Sequence, residues 1–175
     1  DFTTDIGPVI DTEALGRLRT HRERMDREAR RLAAVPSANA SGHFFPPVAY
    51  EVDSLGQVGG EVFGPVLHVL RYDDEELDQL IDDINALGYG LTLGVHSRIE
   101  NTWKRVSERA RVGNCYINRN MIGAVVGVQP FGGEGLSGTG PKAGGPDYLR
   151  RLTTERTVTI NTAAVGGNAH LLTLE

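Results

Sequence analysis

The sequence predicts an α/β fold built on a parallel sheet, of the order β-α-β-α-β. Two observations carry that expectation. Between Pro65 and Asn118, short apolar runs suited to strands alternate with runs whose apolar residues recur at helical spacing. Each connection is about one helix long, which makes successive strands parallel with right-handed crossovers. A third observation bears on function. The glycine-rich stretch Phe131–Gly145 follows the last of these strands, and sheets of this class place ligands beyond the carboxyl ends of their strands.

The elements follow in order. Residues 1–10 read as a loop. Asp11 is a suitable N-cap for a helix whose apolar side is Leu15, Leu18, Met25, Ala29 and Leu32. Its other faces mix Arg17, Arg19, Arg22, Glu23, Arg24 and Glu28, the pattern of a solvated surface. Pro36 and the Ser-Ala-Asn-Ala-Ser-Gly run end it. His43 to Tyr50 is expected as an edge or irregular strand, because Pro46 and Pro47 cannot donate to a ladder. Val66 to Arg71 suits a buried strand. Asp73 and Asp74 open a helix with Glu75 and Glu76 in its first turn, where negative charge meets the positive helix end. Leu77, Leu80, Ile81, Ile84 and Leu87 make its apolar face, and Gly88 stops it. Leu91 to His96 is the next strand. Ser97 with Glu100 reads as a capping box for a helix that buries Ile99, Trp103, Val106 and Ala110 and ends at Gly113. Cys115 to Asn118 is the third strand. Tyr148 to Leu152 suits one helical turn. Thr157 to Asn161 alternates as a half-exposed strand does, and the apolar tail Leu171–Leu174 is expected to dock on this subunit or another.

Composition narrows the class. The 175 residues are 39% hydrophobic and 23% charged, as in a globular domain with a real core. A net charge of −5 argues against nucleic acid as the partner. The single cysteine, Cys115, excludes an internal disulfide framework and suits a reducing compartment. No apolar run approaches the roughly 20 residues of a membrane span. No signal peptide is visible, and with Asp1 in place of methionine the true N-terminus is expected elsewhere.

Nine glycines fall between Gly123 and Gly145. Such a segment lets backbone approach a ligand closely, and its amides can form an anion-binding concavity; a plain surface loop is the other reading. Gly133-Glu134-Gly135-Leu136-Ser137-Gly138 spells GxGxxG, but Gly140 and Pro141 forbid the helix that a dinucleotide fingerprint needs. Pro141 also stands where a phosphate loop requires lysine. Glu61, in Gly59-Gly60-Glu61-Val62-Phe63-Gly64-Pro65, has two carboxylate oxygens able to accept both hydroxyls of a ribose. Phe63 points the same way two residues on, toward a flat ring; an exposed glutamate in a turn is the alternative. Cys115 lies within an apolar strand with no base beside it, so packing is its expected role. His68 and His96 lie in strand runs and read as structural; His21, His43 and His170 are isolated, and no pair has metal-ligand spacing.

Several motifs, in the same order, resemble the aldehyde dehydrogenase superfamily: Gly7-Pro8-Val9-Ile10-Asp11, Glu61-Val62-Phe63-Gly64-Pro65-Val66, Gly88-Tyr89-Gly90-Leu91-Thr92, Gly113–Asn118, Gln129–Gly133 and Ser137-Gly138. The stretch Asn118–Pro146 and the tail are similar to the L-glutamate γ-semialdehyde dehydrogenases of bifunctional bacterial proline-utilization proteins. The resemblance implies the last third of an NAD-dependent catalytic domain over residues 1–155, with an oligomerisation strand and tail over 156–175. It implies that Glu61 binds the nicotinamide ribose with Phe63 beside it. Gly144 and Gly145 would hold the substrate carboxylate, Ser137 and Phe131 shape the pocket, and Asn118 support the site from beneath. Leu152 stands where relatives often carry an aromatic residue.

The nucleophilic cysteine, the general base and the oxyanion asparagine lie upstream in that family, and Cys115 does not take the nucleophile's place. No catalytic residue and no metal is therefore expected in this chain, which alone should be inactive. In the whole enzyme a thiolate attacks the aldehyde, a hydride passes to NAD and water releases the acid. The implied partners are the aldehyde substrate, the upstream part of the enzyme and further copies in a homo-oligomer. FAD would serve only an upstream proline dehydrogenase domain. The implied location is the bacterial cytoplasm, with membrane association a property of the full protein. The competing expectation is a non-catalytic assembly or regulatory remnant of the same fold.

Overall fold

A computed structural model describes residues 5–36, 42–125, 127–161 and 164, so the tail expected to dock through Leu171–Leu174 lies outside the described residues. The first helix, α1 (Thr12–Glu28), begins as its sequence dictates: Asp11 Oδ1 accepts the Ala14 amide at 2.7 Å. Ala14, Leu15, Leu18 and Met25 are its buried face. The helix stops short of Leu32, because Ala29 turns extended and Arg30–Ala34 forms β1. Spacing alone allowed the helix to continue. What overrides it is pairing with β2 (Val48–Val52), antiparallel, with Arg30 and Arg71 both on Glu51 and Arg31 on Asp26.

β2 runs parallel to β3 (Val66–Leu70), in register Tyr50 to His68. Alternate residues Val48, Tyr50 and Val52 face α1 and close a core with Leu15, Leu18, Met25 and Phe45. Tyr50 and Met25 are fully buried. The Tyr50 hydroxyl donates to Asp26 Oδ1 at 2.7 Å. Burial and that carboxylate push the phenol up to about 12.

After β3, Asp73 and Glu76 cap each other at a short 3₁₀ turn that leads into α2 (Leu77–Ala86). The chain continues through β4 (Tyr89–Gly90), β5 (Thr92–Val95), α3 (Glu100–Arg109) and β6 (Asn114–Ile117). β5 and β6 are parallel, as expected of a βαβ unit. Leu77 and Ile81 of α2 meet Val106 of α3 over Leu93 and Val95. The capping box at Ser97 does not form. Ser97 Oγ instead accepts the Ile99 amide at 3.1 Å, two residues on, and Ile99 becomes the N-cap.

One expectation about the sheet is corrected. The three strands do not form one β-α-β-α-β sheet: β3 pairs with β2, β5 pairs with β6, and the two parallel pairs belong to separate sheets. The reason is lateral placement. α2 packs Leu77 and Ile81 on Leu93 and Val95 of β5, and among the described residues no ladder joins β5 to β3. Thr157–Asn161 pairs with no strand of this chain among the described residues. Alternation suits a ladder but does not supply one, and Val158 and Ile160 remain exposed. The turn expected near Tyr148 is present as α4 (Tyr148–Arg151). No helix among the described residues is long and apolar enough to cross a membrane.

Candidate functional site

Asn118 closes the carboxyl ends of β5 and β6. Its amide donates to Val95 O at 2.8 Å, and its side chain bonds both the N–H and the carbonyl of Ser97, at 2.9 and 3.0 Å. It does so from a left-handed conformation, φ 54°, which asparagine tolerates better than most residues.

The glycine stretch does not stay at that end. It runs back along β6 to the amino ends of the strands, and this corrects the placement inferred from sheet topology. Asn114, buried at the start of β6, sets the course: its Nδ2 donates to Pro130 O at 3.0 Å and its Oδ1 accepts the Gly132 amide at 3.2 Å. Lys142 Nζ donates to Gly113 O. Leu136 N–H reaches Gly88 O at 2.9 Å, and Glu134–Gly135, here β7, pairs with β4. Gly113 permits the contact, since a methyl group there would stand 1.8 Å from Gly132 O. Many of the loop's amides are spent internally. Those of Phe131, Leu136, Ser137, Ala143 and Gly145 all donate to carbonyls of this segment or of Gly88. A concavity of many ready donors is therefore not what this stretch forms.

The predicted site residues fall into groups. Glu61 is exposed and stands between two clefts. One, of about 410 Å³, is lined also by Tyr89, Gly90 and Ser137. The other, of about 370 Å³, is lined by His21, Arg24 and Phe63. Glu61 and Ser137 thus share a cleft, and Ser137 Oγ accepts the Gly90 amide at 3.0 Å. Phe63 is 86% exposed, its ring open to solvent. Phe131 bridges Ala143 through two backbone bonds of 3.0 and 2.9 Å, which brings Phe131, Gly144 and Gly145 together. They do not line the cleft that Glu61 shares with Ser137. Gly144 holds φ 72°, and the Gly145 amide closes a turn onto Lys142 O at 3.0 Å. Asn118 lies apart from both groups, at the opposite end of β6.

Electrostatics add two points. Burial pushes the Cys115 thiol up, so it is a poorer thiolate than an ordinary cysteine and suits packing. Among the described residues, no three His, Cys, Asp or Glu side chains converge as a metal site. For a nicotinamide dinucleotide, the fit is partial. Glu61 offers two acceptor oxygens to a ribose and Phe63 a bare apolar face, whereas the glycine stretch offers the diphosphate few uncommitted donors.

Sequence reasoning overlooked Asn114 and Arg24. A polar residue opening an otherwise apolar strand was the available signal for Asn114. Arg24 Nη1 and Nη2 donate to the carbonyls of Gln57 and Val58, each at 2.8 Å, and so fix the turn that precedes Glu61. On an amphipathic helix of mixed charge, nothing distinguished it from its neighbours.

Comparison with known proteins places this geometry. Residues 1–158 match the model of the family described as "Aldehyde dehydrogenase family". The chain is 56% identical, over 162 residues, to the "Bifunctional protein PutA" of Klebsiella aerogenes, covering 89% of this chain and 12% of that protein. It superposes on the crystal structure of a Bradyrhizobium japonicum proline utilization A (PutA) mutant with a TM-score of 0.85 and 59% identity, over 92% of this chain and 16% of the other. It is also similar to a Thermus 1-pyrroline-5-carboxylate dehydrogenase solved with bound NAD, at TM-score 0.77 and 36% identity, over 86% of this chain and 29% of that one. The chain spans about an eighth of the length of the curated PutA relatives. By the family match and by these structural likenesses, it belongs to the aldehyde dehydrogenase family.

Proposed function

We propose that this chain is part of an NAD-dependent dehydrogenase that oxidises L-glutamate γ-semialdehyde to L-glutamate in proline catabolism, within a PutA-like bifunctional enzyme. The observation that carries the reading is Glu61: an exposed carboxylate at the mouth of two clefts, on a turn fixed from behind by Arg24. Similarity to PutA and to an NAD-bound 1-pyrroline-5-carboxylate dehydrogenase supports it. NAD supplies the hydride acceptor. Glu61 accepts hydrogen bonds from the nicotinamide ribose, and Phe63 lies against the nicotinamide side.

Gly144 and Gly145 form the turn that meets the substrate's carboxylate, where the Gly145 amide exchanges Lys142 O for the charged oxygen. Phe131 lies beside that turn, and Ser137 shapes the cleft it shares with Glu61. An aldehyde without the carboxylate offers nothing in exchange for the Lys142 bond, which is the source of selectivity. Asn118 keeps the strand ends in place. The thiolate nucleophile and the general base come from the preceding part of the enzyme. On this reading residues 1–155 belong to the catalytic domain and 156–175 to an oligomerisation strand and tail. FAD serves only a proline dehydrogenase domain elsewhere in the polypeptide.

The test is NAD reduction by this chain rejoined to the preceding part of the enzyme, with L-glutamate γ-semialdehyde as substrate. Glu61→Ala is expected to lower kcat/KM for NAD about tenfold or more, the loss of a charged hydrogen bond. An unchanged value would remove Glu61 from the cofactor site.

A further inference from the structure

His21 occupies the α1 stripe that faces β3, between Leu18 and Met25, and His68 faces it from the strand. Their rings meet edge to face with centroids 5.1 Å apart, and the two Nε2 atoms are 2.9 Å apart. Arg24 Nη2 lies 3.4 Å from His21 Nδ1. Arginine has no acceptor, so it can only donate, which fixes every proton in the chain of bonds. His21 Nδ1 accepts from Arg24, His21 Nε2–H donates to His68 Nε2, and the remaining hydrogen of His68 sits on Nδ1. Both lone pairs that could take a proton are engaged. Protonating either imidazole breaks one bond of the relay and sets a cation beside Arg24.

Arg24 joins this relay to the turn carrying Glu61. The same guanidinium that touches His21 holds Gln57 O and Val58 O, and it also pairs with Glu28 at 3.0 Å. We propose that Arg24, His21 and His68 form an acid-sensitive latch, intact while both imidazoles are neutral, that positions the turn Gln57–Glu61. The other charged groups nearby are Arg17 on α1 and Glu61 across the adjoining cleft. On β2 the residue level with His68 is Tyr50, which is already engaged by Asp26.

The direction of the effect follows from proton binding. Burial first, then the neighbouring His68 and Arg24, lower the affinity of His21 for a proton; burial and Arg24 do the same for His68. Below the unfolded value of about 6.5 the unfolded chain therefore holds more protons than the folded one. Stability is undiminished above that pH and falls as pH drops through it toward the lowered folded values. The consequence for cofactor binding rests on the reading of Glu61 given above; the latch does not, and it can be read without cofactor.

The experiment uses the 175-residue chain. The pH titration of the imidazole Cε1–H signals is recorded by NMR. Amide exchange at Gln57 and Val58, whose amides close onto Ser54 O and Leu55 O, and the urea midpoint are compared at about pH 7.5 and about pH 5.5, either side of ordinary histidine titration. The expected result is that both imidazoles titrate below the ordinary value, that protection at Gln57 and Val58 is lost at the acid pH, and that the urea midpoint falls. In the double variant His21→Gln/His68→Leu the fall in midpoint should shrink. Two imidazoles titrating at about 6.5 would overturn the proposal whether or not the variant folds. So would protection at Gln57 and Val58 that is the same at both pH values. A histidine titration in Glu61→Ala equal to that of the native chain supports the latch independently of the cofactor reading.

Discussion

Asn114 has both ends of its side-chain amide committed, one to Pro130 O and one to the Gly132 amide, while the residue itself is buried. Asn114→Ala removes both bonds and leaves the carbonyl and the amide without their partner. A loss of about 1–3 kcal/mol of unfolding free energy is expected, measured by urea denaturation. Amide exchange at Phe131, Gly132 and Ala143 should rise with it; an unchanged exchange pattern would mean that the loop is held by other contacts. Tyr50 gives a second expectation at this scale. Its phenol is held protonated by burial and by Asp26, up to about 12 in the folded chain against about 10 when unfolded. The stabilisation is fully present below the unfolded value and is lost as pH rises from there toward the folded one. The fall in urea midpoint between about pH 9 and about pH 11 should therefore shrink in Tyr50→Phe, and an equal fall in both proteins would show that this phenol does not carry it.

At the scale of elements, α2 and α3 are joined on their outer surfaces by Asp78 with Arg105 and Arg109, and by Asp82 with Arg109, at 2.5, 2.8 and 2.9 Å. The hydrogen bond from Arg105, with the nearby guanidinium charges, holds the Asp78 carboxyl below its ordinary range, although removal from water opposes this. A depressed carboxyl stabilises the fold above its unfolded value and loses that contribution as pH falls through the folded one. These groups are solvent-exposed, so salt screens them. Raising salt should lower the Tm of the native chain more than that of Asp78→Asn. Equal salt responses would show that the network contributes nothing. The start of α1 is set by a single side chain: Asp11→Ala should cost about 0.5–2 kcal/mol in thermal or urea unfolding.

For the whole molecule, the parallel pairs β2–β3 and β5–β6 lie in different sheets, and Val158, Ile160, Leu149 and Leu152 are exposed. The 175-residue chain is expected to give no NAD reduction with L-glutamate γ-semialdehyde, and Cys115→Ala should behave identically, since burial pushes that thiol up. Turnover that vanishes in Cys115→Ala would instead make Cys115 the nucleophile. Exposure of Val158 and Ile160 predicts self-association, visible as a concentration-dependent sedimentation coefficient and reduced by Val158→Asp/Ile160→Asp. A monomer at all concentrations would set aside the oligomerisation reading of residues 156–175.

Local chemistry was legible in the sequence. The Asp11 cap, the apolar faces of α1 and α2, and the runs that became β3, β5 and β6 follow from residue type and spacing over a few positions. The order of motifs was enough to place the chain in its family. Tertiary structure decided what depends on partners distant in sequence. It ended α1 early, because Arg30–Ala34 paired with β2. It separated β3 from β5, because lateral position in a sheet is not written in the period of either strand. It turned the glycine stretch back toward the amino ends of the strands, because Asn114 and Gly113 offered contacts that Pro130, Gly132 and Lys142 could meet. It also set His21 against His68, 47 residues apart, with Arg24 joining both to the turn before Glu61. Helical and strand periods are short-range steric properties, whereas these contacts exist only once the chain has folded back on itself.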